Sequence, residues 1–93
     1  MAGKKKNYYY VLVFSNIGPM YVTSIDRSNK YAHWDGDKAP LELGLSYAED
    51  LAFGLNANFN RAVVVKSPRE IDSQPYNYKD YKVTFVEREE EEE

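Results

Sequence analysis

The chain is predicted to be a small α+β domain: a single, largely antiparallel sheet of four to five strands, in the order β-β-β-α-β-β, with one helix packed on one face. Three observations predict it. Short segments rich in aromatic and β-branched residues alternate with turn chemistry. A single central stretch carries apolar residues at helical spacing. The length of 93 residues, 43% of them hydrophobic, suits one core and one domain.

Tyr8–Ser15 is a continuous aromatic and β-branched run whose two faces are both apolar. That pattern suits a central strand covered on both sides. Asn16-Ile17-Gly18-Pro19 is turn chemistry, and Met20–Ile25 reads as a second strand pairing with the first. Asp26-Arg27-Ser28-Asn29 makes another polar turn before a short third strand, Lys30–Trp34, which Asp35-Gly36 ends.

Leu41–Leu45 reads as an extended approach to the helix. Ser46 and Glu49 have the spacing of a capping box, in which each side chain satisfies the other's backbone amide. From Ser46 to about Ala57 the residues Ala48, Leu51, Ala52 and Leu55, continued by Phe59, form the buried stripe. Gly54 permits close packing on the sheet, and Asn56 and Asn58 are helix stops. Arg61–Ser67 is a fourth strand centred on three valines, and Pro68 and Pro75 bracket a long loop. Tyr81–Val86 alternates, with Tyr81, Val83 and Phe85 inward, as a half-exposed edge strand able to pair with a second copy.

The charge divides the chain. Residues 1–7 are a basic arm carrying Lys4, Lys5 and Lys6, residues 8–86 a nearly neutral domain, and residues 87–93 an acidic tail with six glutamates and one arginine. Such a like-charge block is expected to be disordered. The basic start is not followed by a long apolar stretch, so no signal peptide is read, and no run reaches membrane-spanning length. With no cysteine there is no disulfide or thiolate chemistry, which fits a reducing cytoplasm.

Parts for catalysis are scarce. The single histidine sits in His33-Trp34-Asp35-Gly36-Asp37, the one cluster resembling a metal or acid–base site, but no second histidine or cysteine completes a ligand set. A serine nucleophile would have to use His33, and no Gly-x-Ser-x-Gly elbow or phosphate-cradling loop is present. Adjacent Glu49 and Asp50 point different ways on a helix. The expectation is no enzyme, no metal and no cofactor.

Nine tyrosines are the surplus that a core does not explain. Tyrosine couples a large apolar ring to a hydroxyl tip and suits contact surfaces. Tyr76, Tyr78 and Tyr81, beside the proline-bracketed loop, and Trp34 at the hairpin end are the candidate contacts with a protein partner. The alternative is single-stranded nucleic acid held by Lys4, Lys5 and Lys6 with Tyr8 and the other strand tyrosines stacking on bases. The absence of a basic stripe elsewhere disfavours it.

The segment Lys30-Tyr-Ala-His-Trp-Asp-Gly-Asp-Lys-Ala-Pro-Leu-Glu-Leu, through Ala48-Glu-Asp-Leu-Ala-Phe-Gly-Leu to Asn60-Arg-Ala-Val-Val-Val, resembles small accessory proteins encoded by phages and prophages of Gram-positive bacteria. The resemblance implies a context in which such proteins bind and inhibit a host enzyme or defence nuclease in the host cytoplasm. It assigns no site residue. The expected function is a non-catalytic protein-binding module.

Overall fold

The computed structural model describes residues 7–15 and 18–75, and the backbone of 81–84. The class is α+β, and among the described residues every strand pairing is antiparallel, divided over two three-stranded sheets. The elements are β1 (Tyr8–Ser15), β2 (Gly18–Tyr21), β3 (Ser24–Asp26), β4 (Tyr31–Trp34), α1 (Leu45–Ala57), β5 (Arg61–Ser67) and β6 (Tyr81–Thr84). The first sheet has the order β2-β1-β5 and the second β3-β4-β6.

The expected second strand, Met20–Ile25, is thus two strands in different sheets. Val22 still donates its N–H to the Val11 carbonyl (3.0 Å), while the next residue, Thr23, donates to the His33 carbonyl (2.8 Å). The chain changes partner within one residue. Leu41 N–H closes the Val22 carbonyl at 2.9 Å, so no buried acceptor is abandoned at the crossing.

β1 is the central strand, as its doubly apolar sequence predicts, paired with β2 on one side and β5 on the other. Its registers Val13↔Met20, Val13↔Ala62 and Val11↔Val64 put these residues on one face, toward α1. The core joins Val11, Val13, Met20, Val22 and Ala62 of this sheet to Ala48, Leu51, Ala52 and Leu55 of the helix, with Ala32 and Trp34 from β4 and Leu43. Leu43 enters by a single bridge to Tyr9, its N–H donating to the Tyr9 carbonyl at 2.9 Å, so the approach to the helix is extended.

Two expectations for the helix are corrected. α1 starts at Leu45 with Gly44 as N-cap and no side-chain cap bond. Ser46 therefore has a helical position rather than the extended one a cap requires, and the Ser46–Glu49 box does not form. At the other end Asn58 is the C-cap, as expected, but Phe59 is not in the stripe. It adopts φ +68° and is 97% exposed. The Phe59 N–H donates to the Asn56 carbonyl (3.1 Å) and the Asn60 N–H to the Leu55 carbonyl (3.0 Å), the paired bonds of a Schellman ending. A phenylalanine occupies the left-handed position that usually takes glycine.

Candidate functional site

The even-numbered residues of β1 face away from the helix, and the registers Tyr10↔Val65, Leu12↔Val63, Leu12↔Tyr21 and Phe14↔Arg61 define the outer surface of the first sheet. One end of this surface is covered by residues 71–74. Tyr10 is fully buried although it lies outside the main core, and Ile71 donates its backbone N–H to the Tyr10 hydroxyl at 2.9 Å. Tyr10 meets the Tyr21 ring edge-on at 5.9 Å. Burial pushes the Tyr10 phenol above its ordinary value, because the phenolate would be desolvated there.

The other end of the surface is open. Phe14 is 43% and Val63 45% exposed, with Leu12 and Val65 half-buried beside them. The Arg61 guanidinium lies 6.0 Å from the centre of the Phe14 ring, and its charge is the one cation among the described residues that the register places on this face. A strand read as covered on both faces is thus covered on its second face only over Tyr10. The large side chains that remain form an apolar surface with little charge.

Trp34, expected among the contacts, is 2% exposed and sits in the core. Strand alternation turns Ala32 and Trp34 inward from β4 and leaves Tyr31 and His33 half-buried. The Trp34 indole N–H is buried without a hydrogen-bond partner among the described residues. Tyr76, Tyr78, Lys4, Lys5 and Lys6 lie outside the described residues, as do Phe85, Val86 and the acidic tail. Tyr81 opens β6, which pairs with β4 at the edge of its sheet. Tyr8 is half-buried at the start of β1.

The His33–Asp37 cluster does not assemble. Asp35 accepts the Asp37 backbone N–H at 2.9 Å, so its carboxylate closes the turn, and no group of three His, Cys, Asp or Glu with metal-binding geometry exists among the described residues. A shallow cleft of about 370 Å³ lies between 36–39 and 72–75, lined by Asp37, Lys38, Asp72, Ser73 and Gln74. Gln74 is committed there to the backbone of Tyr21. Among the described residues no helix is long and apolar enough to cross a membrane.

Sequence reasoning missed Phe14, Val63 and Phe59. The first two carried a signal, since they share a face in an antiparallel pairing of β1 with β5 and flank an arginine. Phe59 carried none, because its spacing of four from Leu55 imitates a further helical turn. No protein-family model, curated protein or solved structure matches this chain.

Proposed function

We propose that the chain is a non-catalytic module that docks on a protein through the outer face of sheet β2-β1-β5. The carrying observation is the exposure of Phe14 and Val63 side by side with half-buried Leu12 and Val65 on one sheet face. Apolar side chains clustered on a flat strand surface favour a protein whose own contact is apolar. The single cation among the described residues of that face, Arg61, is too little charge to hold a phosphate backbone. The small stock of catalytic residue types and the use of Asp35 as a turn residue support a non-catalytic role. On the resemblance to phage accessory proteins, the partner is a host enzyme or nuclease, which the module would inhibit.

The test replaces Phe14 and Val63 together by serine. The doubly substituted protein should keep its fold, since both side chains are largely outside the core. It should lose a partner that the parent captures from cells of the source organism. Retention of that partner at parental affinity would overturn the assignment. Salt-sensitive binding of an oligonucleotide by the parent, with no protein captured, would transfer it to nucleic acid.

A further inference from the structure

The two edges of sheet β2-β1-β5 are closed in the same unusual way. The hydrogen bonds from Leu43 N–H to the Tyr9 carbonyl and from Val22 N–H to the Val11 carbonyl show that odd residues of β1 present their backbone groups toward β2. Even residues of β1 therefore face β5, and the registers make the odd residues of β5 their partners. The N–H and C=O groups of Ala62, Val64 and Lys66 consequently point away from the sheet. On β2 the outward residues are Pro19 and Tyr21.

Each outward row meets a carboxamide where a strand would be. Asn56 accepts the Ala62 N–H on Oδ1 at 3.0 Å and donates from Nδ2 to the Ala62 carbonyl at 2.9 Å. Gln74 accepts the Tyr21 N–H at 2.8 Å and donates to the Tyr21 carbonyl at 2.8 Å. Both amides reproduce the two-bond exchange of an antiparallel residue pair. Pro19 has no N–H to offer at the remaining outward position of β2.

We infer that Asn56 is a strand surrogate that holds β5 closed against a second copy of this chain, and that β5 is a latent self-pairing edge. This inference stands apart from the outer-face reading, because it rests on the edge and not the face. β5 is self-complementary when two copies run antiparallel about Val64. Val64 then meets Val64, Val63 meets Val65, and Ala62 meets Lys66, so no like charges lie directly opposite. That register needs the backbone groups of Ala62, which Asn56 occupies. A register centred on Val65 leaves only Val64 and Lys66 to bond before Pro68 interrupts the row. With Asn56 in place the available edge is too short to hold a second strand.

The experiment uses the full chain, whose lack of cysteine makes a single introduced thiol unambiguous. The parent and its Val64→Cys form should sediment as monomers and form no disulfide dimer under mild oxidation. Asn56→Ala should self-associate at least about tenfold more tightly than the parent. Asn56→Ala with Val64→Cys should cross-link rapidly. A folded Asn56→Ala that stays monomeric, or a parent that cross-links through Val64→Cys as fast as the double variant, overturns the inference. Should Asn56→Ala fail to fold, amide exchange in the parent decides. The Ala62 amide should be protected while those of Val64 and Lys66 exchange rapidly, and equal rates at the three positions would overturn the role given to Asn56.

Discussion

Replacing Tyr10 by phenylalanine removes one oxygen from a fully buried ring and leaves the ring's packing intact. What is lost is the acceptor for the Ile71 N–H, a bond of 2.9 Å that ties residue 71 to β1 across 61 positions of chain. A neutral hydrogen bond of this kind contributes about 0.5–1.5 kcal/mol net. Gln74→Ala removes two bonds of 2.8 Å to Tyr21, so about 1–3 kcal/mol is expected. Both tethers hold the short segment 71–74, and cutting either should release the other. The double variant should then lose less than the sum of the single losses, by at least about 0.5 kcal/mol. Urea denaturation followed by the emission of Trp34, the one tryptophan and a buried one, measures all four proteins. Strict additivity would refute the idea that the segment docks as a unit, and a neutral Tyr10→Phe would refute the Ile71 bond itself. The same pair of proteins has a pH signature. Burial raises the folded phenol above its unfolded value, so the stability it contributes is present below the unfolded pKa and is lost as pH rises through the folded one. The parent should therefore fall more steeply than Tyr10→Phe above about pH 10.

Two further outcomes test the frame around this region. Leu55→Ala, at a fully buried helix position, should cost about 2–5 kcal/mol by urea denaturation, and a loss under about 1 kcal/mol would mean the helix is not seated on the sheet as described. Phe59→Gly should raise stability by about 1 kcal/mol, read as an increase in Tm, because it relieves a left-handed backbone and gives up a ring that packs on almost nothing. A decrease would show that the ring has a contact within the chain.

Much of the fold was legible because its elements obey simple periodicities. The seven consecutive apolar residues from Tyr8 announced the central strand, and the spacing of Ala48, Leu51, Ala52 and Leu55 announced the helix and its buried side. The crossing at Val22–Thr23 was not legible. Met20–Ile25 contains no glycine or proline to break it, the polar pair Thr23-Ser24 is itself compatible with a continuing strand, and the change of partner is decided by where Val11 and His33 stand in three dimensions. The capping box failed for a similar reason. Ser46 and Glu49 have the right spacing, but the cap is Gly44, two residues before Ser46 and directly after the bridge between Leu43 and Tyr9. The candidate surface was not legible residue by residue. Surplus aromatic residues led to an expected contact surface that included Trp34, and Trp34 belongs to the core. The exposed pair Phe14 and Val63 depends on which face of β1 the helix takes, and a strand apolar on both sides does not specify that.

The crossover between sheets also bears on how this chain can assemble as it is made. Among the described residues strands one, two and five make one layer, and three, four and six the other, so neither layer is finished by any early stretch of polypeptide. A ribosome that has released everything up to the helix has delivered two strands of each layer and closed neither. The layers must wait for the last third of the chain, and cutting the protein in two anywhere between β1 and β6 would divide the strands of at least one layer between the fragments.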